Sequence, residues 1–320
     1  MRAVVYDRYG TPEELRIEEL PIPHAAAGEV VVRVAATSVN LTDWEGLCGS
    51  PLYSRIGGLR HPARRVLGSD IAGWVEAVGA GVTRFRPGDA VYGDNLGPKG
   101  GFAEFAVAPE SALAGKPEGL SFAEASTLPQ AGAIALQGVT DVGPGQRVLI
   151  NGGGGGSGSF AIQLARRAGA HVTGVDNAGK LDFMRSLGAD EVIDHRSEDF
   201  TSGHEPYDLV VDLVAHASVL DTRRALARGG RYRCVGGPVP RLLRVVTVGW
   251  VAGRLTGRRM GILPVHEGPE HFGPLADLCL AGEVRICVDR TVGLEDVPEA
   301  LADVGAGRVR GKVVIEVAGS

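Results

Sequence analysis

Residues 148–176 read VLINGGGGGSGSFAIQLARRAGAHVTGVD. The apolar run at Val148, Leu149 and Ile150 predicts a strand, and GSFAIQLARRAG predicts a helix. Between them glycine is unbroken from Gly152 to Gly156. A flexible linker would not sit between an apolar strand and a helix. Gly153, Gly155 and Gly158 satisfy G-x-G-x-x-G, and Gly152, Gly155 and Gly158 share a three-residue spacing. In such a turn one glycine permits the tight bend, one lets backbone approach a pyrophosphate, and one lets the helix pack on the strand. The free N–H groups at the helix start, around Gly156 and Ser157, then face the phosphates. HVTGVD predicts a second strand, which Asp176 ends 18 residues past Gly158. That is near the spacing of about 20 for an acid that meets an adenine ribose. Strand, glycines, helix, strand and acid in this order predict a dinucleotide-binding unit.

Working outward, alternation of strand and helix continues. KLDFMRSLGA and LDTRRALARGG predict helices; EVIDH, YDLVVDLV and RYRCVGG predict strands. Such alternation implies a parallel sheet with helices on its faces. Before Ser121 the pattern differs. EVVVRVAATSVN alternates, and DIAGWVEAVG, DAVYG and GFAEFAVAP are short strands divided by turns. This predicts a partly closed β-barrel or a pair of small packed sheets. SFAEASTLPQAGAIALQGV predicts a helix with Ser121 and Glu124 as a capping box. The stretch 238–264 reads as strand and loop or as helix. Near the end come two helices and a final strand, GKVVIEVAG.

A length of 320 residues predicts two domains, and 44% hydrophobic with 22% charged residues is ordinary for a soluble globular protein. The net charge of −5 has no basic block or acidic tail behind it, which argues against nucleic acid and membrane partners. No stretch is apolar enough to span a bilayer, and MRAVVYDRYG reads as a strand rather than a signal peptide. Cys48, Cys234, Cys279 and Cys287 form no CxxC, so reduced thiols and a cytoplasmic location are expected.

With these residues in hand, the chain resembles the medium-chain dehydrogenase/reductase superfamily, in particular its zinc-independent quinone oxidoreductase and enone reductase branch. AATSVNLTDW, VLGSDIAGWVEAVGAGVTRFRPGDAVYG, GGFAEFAVAPE, LPQAGAIALQGV, SLGADEVIDH and RGKVVI stand in the family's order and span nearly the whole chain. The resemblance implies an α/β protein: a GroES-like, β-rich catalytic domain over 1–120, completed by 265–320, and a doubly wound Rossmann domain over 121–264. It also implies an active site in the cleft and a homodimer. Zinc-dependent members carry a cysteine ligand where this chain has Asn40, and a His-Glu pair where it has Ser69 and Asp70. The structural zinc loop is replaced by DNLGPKGG. No metal is therefore expected.

Two departures bear on the cofactor. Ile134 stands where the family usually has a threonine at the nicotinamide, which leaves backbone groups or a neighbour such as Gln130 to hold the carboxamide. Ser157 replaces the usual valine. Asp176 favours NADH, because a carboxylate accepts from a ribose hydroxyl and repels a 2′-phosphate. Lys180, His195 and Arg196 oppose it, and Asp176 can instead turn away to cap the next helix. With the family's leaning added, NADPH is favoured. Family analogy sends Lys312 to the cofactor phosphates, with a surface position as the alternative, and Gly236 and Gly237 let the nicotinamide pass close to backbone.

Without a Lewis acid, hydride needs an electron-poor acceptor, and enones and quinones qualify. Asn40 is the best side-chain donor to the carbonyl or the ribose, or else makes a structural turn hydrogen bond; Tyr53 is a plain aromatic wall of the cleft or a donor or proton source; Trp44, after Asp43, shapes the pocket or packs in the core. The expected activity is thus an NADPH-dependent quinone or enone reductase. Two alternatives stay open: a trans-acting enoyl reductase, for which the basic stretch 241–259 offers a carrier contact, and a non-catalytic NADPH-binding protein, which Ile134 alone supports.

Overall fold

In a computed structural model, which describes residues 1–203 and 205–317, the chain divides into two compact units. One comprises 1–133, 267–282 and the residues from 286 onward; the other comprises 134–266 and 283–285. The chain opens with β1 (Arg2–Val5), β2 (Arg16–Glu19) and β3 (Glu29–Ser38), then α1 (Leu41–Cys48). Next come β4 (Asp70–Val78), β5 (Ala90–Asp94), β6 (Phe105–Pro109) and β7 (Leu113–Gly115). Where one helix is expected from Ser121, two form: α2 (Phe122–Ser126) and α3 (Pro129–Gly138). Pro129 has no N–H to continue the first and is suited to open the second. The capping box does form: Glu124 N donates to Ser121 Oγ, and Ser121 N to Glu124 Oε2. Because α2 packs on β3 and β4, residues 121–133 join the first unit, and the division falls inside α3.

The second unit contains β8 (Arg147–Asn151), α4 (Gly156–Arg167), β9 (His171–Asp176), α5 (Leu181–Ser186), β10 (Glu191–Asp194), β11 (Tyr207–Asp212), α6 (Val219–Ala225) and β12 (Leu226–Cys234). The ambiguous stretch proves helical over 239–255. There α7 (Val239–Arg244) and α8 (Trp250–Leu255) are joined by a π-helical turn, and β13 (Arg259–Ile262) follows. All six strands are parallel, in the order β10-β9-β8-β11-β12-β13. This is the 3-2-1-4-5-6 order whose reversal, between β8 and β11, opens a ligand crevice at the strands' carboxyl ends. Leu149, Val175, Ile193, Val210 and Tyr207 are buried in one core cluster of this unit.

The chain then returns to the first unit with α9 (Pro269–Leu280), β14 (Val288–Val292), α10 (Val297–Gly305) and β15 (Lys312–Glu316). Its main sheet has seven strands. Strand β3 pairs with β4 along its length, with one extra residue in β4 at Glu76 and one in β3 at Ala35, and it pairs with β6 at its start and with β15 at its end. Valines 30, 32 and 34 alternate inward against Ile71, Val75 and Val91. A second cluster joins both chain ends: Val4, Tyr6, Leu47 and Phe102 pack with Leu301, Val313 and Ile315. That shared core places Lys312 beside Asn40, far from it in sequence.

Candidate functional site

The glycine run folds as its chemistry requires. Gly152 has φ +88°, open to glycine at little cost. A Cβ on Gly158 would lie 2.1 Å from Gly152 O, so the helix can approach the strand only without a side chain there. Gly153 is closed in by Met184 and Ile162, and Gly154 by Lys180. Gly155 differs: a Cβ there would meet only Gly152 O, at 3.5 Å. Helix α4 starts at Gly156 with Gly155 as N-cap and no side-chain cap. The first N–H groups, at Gly156 and Ser157, are thus left for a ligand, with the helix dipole favouring an anion. These residues fit the pyrophosphate of a dinucleotide.

Asp176 does not cap the next helical turn; Asn177 does, accepting from Gly179 N at 3.1 Å. Asp176 turns to the glycine loop instead, accepting from Gly154 N at 3.0 Å and from Asn177 N at 2.9 Å. Lys180, expected as a free cation, is buried, with its ammonium 3.4 Å from Asp176. His195 and Arg196 are exposed just past β10, and His195 N donates to Asp176 O. Gly236 and Gly237 have φ of +67° and +111°, and a Cβ on Gly237 would lie 2.7 Å from that of Ala215. Glycine is required there by the local fold before any cofactor is considered. Sequence reading passed over the pair at the strand-order reversal. Asn151 and Asp212 end β8 and β11 in register, and Asn151 Nδ2 donates to Asp212 Oδ1 at 2.8 Å. Asp212 also accepts from Val214 N, Ala215 N and Tyr232 OH, which fixes the loop after β11. A terminal acid on YDLVVD, matching that on HVTGVD, was the available signal.

In the first unit, Asn40 anchors a buried polar network. Lys312 Nζ donates to Asn40 Oδ1 at 2.5 Å and lies 3.3 Å from Asp70 Oδ2. Asn40 Nδ2 donates to Asp70 Oδ2 at 2.8 Å and to Ser69 Oγ at 3.1 Å. Ser38 Oγ donates to the same Asp70 oxygen, and Gln130 N to the other, at 3.0 Å each. Two expectations change. Lys312, 2% exposed and bound to Asn40 and Asp70, is held inside this network rather than extended to phosphates. Asn40 has committed both amide hydrogens and is no free donor. The donor set does not fit zinc: it offers an amide, a hydroxyl and one carboxylate already paired with an ammonium. Among the described residues no group of three or more His, Cys, Asp or Glu side chains could hold a metal ion.

Further buried charges adjoin. Asp43 accepts from Asn40 N and Gly68 N and pairs with Lys99 at 3.5 Å; burial still pushes its carboxyl up. Asp94, opposite Asp70 across β4 and β5, is pushed up to about 8, by burial and then by the charges of Asp70, Glu267 and Asp43. Tyr53 OH lies 3.5 Å from Glu45 Oε1, and burial raises Glu45 to about 7 against that hydrogen bond. Gln130, 6% exposed, accepts at Oε1 from Thr42 Oγ1 at 2.9 Å, while its buried Nε2 has no partner. Trp44 is half-buried against the cluster shared by both chain ends, and Ile134 is half-buried in α3. Cys234 and Cys287 are buried, Cys48 and Cys279 half-buried.

The chain is similar to known proteins along its whole length. The family model for the alcohol dehydrogenase GroES-like domain matches 26–118, and that for zinc-binding dehydrogenases matches 187–315. The chloroplastic quinone oxidoreductase of Triphysaria versicolor is 33% identical, over 99% of this chain and 98% of that protein. A 2-methylene-furan-3-one reductase of Solanum lycopersicum is 31% identical over 98% and 79%. The solved quinone oxidoreductase of Coxiella burnetii superposes with a TM-score of 0.90 at 30% identity, over 99% of both chains. A mycobacterial protein solved with NADPH gives 0.84 at 27%, over 99% of both.

Proposed function

We propose, from the premise that the chain belongs to the quinone oxidoreductase branch of the medium-chain dehydrogenase/reductase superfamily, that it is a zinc-independent, NADPH-dependent reductase of quinones or α,β-unsaturated carbonyls. One observation carries the reading. Where zinc-dependent relatives gather metal ligands, the Lys312 ammonium sits between Asn40 and Asp70. With no fitting Lewis-acid site, the acceptor itself must be electron-poor. When bound, the reduced nicotinamide supplies the hydride. The glycine loop and the start of α4 hold the pyrophosphate, and Asp176 with Asn177 shapes the loop toward the adenosine. The Lys180–Asp176 pair lessens the carboxylate's repulsion of a 2′-phosphate, and His195 and Arg196 add exposed cations; both support NADPH, as does the mycobacterial likeness. Quinones and enones suit the acceptor site because their charge moves to an oxygen remote from the attacked carbon. We place the enzyme in the cytoplasm, from cysteines that form no CxxC, and as a homodimer, from its family. No helix among the described residues is long and apolar enough to cross a membrane.

The helical run 239–255 favours a second reading, a trans-acting enoyl reductase on a carrier-bound intermediate. It exposes Leu243, Val246, Trp250, Val251 and Leu255 beside Arg244 and Arg254. The deciding experiment is NADPH and NADH oxidation, followed by absorbance, with a panel of quinones and enones. Acceptor-dependent oxidation supports the first reading; turnover restricted to carrier-bound enoyl thioesters would select the second, and no turnover with any acceptor would leave a cofactor-binding role.

A further inference from the structure

We infer that Gln130 is the group that binds the reacting carbonyl oxygen, with Thr42 setting the direction of its amide. This rests on the reductase reading above and deepens it.

A buried amide hydrogen without a protein partner costs stability, and in a native fold it calls for an explanation, a water, an ion or a ligand group that accepts from it among them. Gln130 carries such a group. The residue is 6% exposed, and Nε2 has no hydrogen-bond partner. Its other polar groups are fixed. The backbone N donates to Asp70 Oδ1 at 3.0 Å, which ties the start of α3 to the network. The side-chain Oε1 accepts from Thr42 Oγ1 at 2.9 Å. A hydroxyl that donates to the amide oxygen leaves the NH2 group turned away, with both hydrogens free.

Elimination among the neighbours points the same way. Asn40 has given both amide hydrogens to Asp70 and Ser69. Lys312 is held by Asn40 and Asp70. Thr42 spends its proton on Gln130. The free donor therefore stands beside the residues that replace a metal-ligand set, where zinc-dependent relatives polarise their substrate oxygen. A neutral amide can take over that task for an acceptor whose developing charge is already delocalised.

In the step it assists, hydride adds to the β-carbon of an enone and forms a C–H bond. The electron pair of the C=C bond shifts through the conjugated system to give an enolate oxygen, leaving oxidised nicotinamide. Gln130 Nε2 donates to that oxygen, and a proton from solvent completes the saturated ketone.

The test uses the full chain with Gln130→Met, which keeps volume without a donor, and Gln130→Glu, which keeps the acceptor for Thr42. Melting curves confirm that each folds. Calorimetry measures 2-cyclohexen-1-one binding to protein saturated with NADP⁺, where no hydride can pass; fluorescence titration measures NADPH binding. Both variants are expected to bind NADPH like wild type, to lose at least about tenfold in cyclohexenone affinity, and to lose about 100-fold in kcat, the scale of one oxyanion donor. Gln130-dependent cyclohexenone binding in a wild type that oxidises no NADPH would sink the reductase reading and keep the donor. Weakened NADPH binding with cyclohexenone affinity intact would reassign the amide to the nicotinamide and overturn the inference. So would wild-type binding and turnover in both variants, or a wild type that binds no cyclohexenone.

Discussion

Lys312 Nζ donates to Asn40 Oδ1 at 2.5 Å across 272 residues of sequence. The bond does two things at once. It fixes which side of the Asn40 amide faces Asp70, and it puts a positive charge beside a carboxylate that is fully buried. A buried ion pair adds little net stability, but removing one partner is costly, because the other charge is then stranded.

Lys312→Met should therefore destabilise the protein by about 3–5 kcal/mol. Adding Asp70→Asn should recover part of that loss, since the stranded charge is removed. Urea denaturation of the single and double variants checks this; equal midpoints for wild type and Lys312→Met would contradict it.

Asp94 makes stability depend on pH with a defined sign. Its carboxyl stands at about 8 in the fold against an ordinary 3.8, chiefly through burial. Between those values the unfolded chain has released the proton and the folded chain retains it, so stability falls as pH rises. Above about 8 both states are ionised and this contribution becomes flat. Asp94→Asn should melt higher than wild type, by a margin that widens from pH 4 to 8 and then holds. A margin that does not change with pH would show that Asp94 is ionised in the fold.

Two glycines in one loop should fail differently. Gly158→Ala places a Cβ 2.1 Å from Gly152 O, a clash with backbone, so the unliganded protein should lose several degrees in melting temperature. Gly155→Ala meets nothing closer than 3.5 Å and should melt like wild type. With a pyrophosphate against that turn, however, the added methyl should weaken NADPH binding. Thermal melts with and without NADPH separate the two effects.

Lys180→Met should move cofactor preference toward NADH. The ammonium now lies 3.4 Å from Asp176, and its loss exposes a 2′-phosphate to an uncompensated carboxylate. A change of about tenfold in the ratio of NADPH to NADH affinity corresponds to 1.4 kcal/mol. An unchanged ratio would mean that Asp176 does not face the 2′ position.

The dinucleotide unit was legible because its signals are local. The order of strand, glycine turn, helix, strand and Asp176 lies within thirty or so residues, and inside that span Gly152 is required by its positive φ and Gly158 by its close approach to Gly152 O. The Ser121–Glu124 capping box was legible for the same reason. The break at Pro129 was missed because the apolar pattern runs straight through it, while the missing N–H is a single-residue effect. The stretch 239–255 stayed ambiguous because helix and strand share its apolar and basic residues. Its helix buries Val245, Gly249 and Gly253 at a four-residue spacing, and only packing shows that those positions face inward.

By itself the sequence determined that a sheet of alternating strands and helices follows a β-rich segment, that Asn40, Ser69 and Asp70 offer no zinc ligand set, and which glycines form the turn before α4. Tertiary structure decided the partners of each polar side chain. It took Lys312 away from the phosphates and into the network around Asn40, bound Asp176 back to the glycine loop, and left Gln130 with a free donor. The first of these depends on strands brought together from opposite ends of the chain, the other two on residues 22 to 88 positions apart. A hydrogen bond extends about 3 Å and an ion pair about 4 Å; residue spacing along the chain says nothing about which groups the fold brings within that reach.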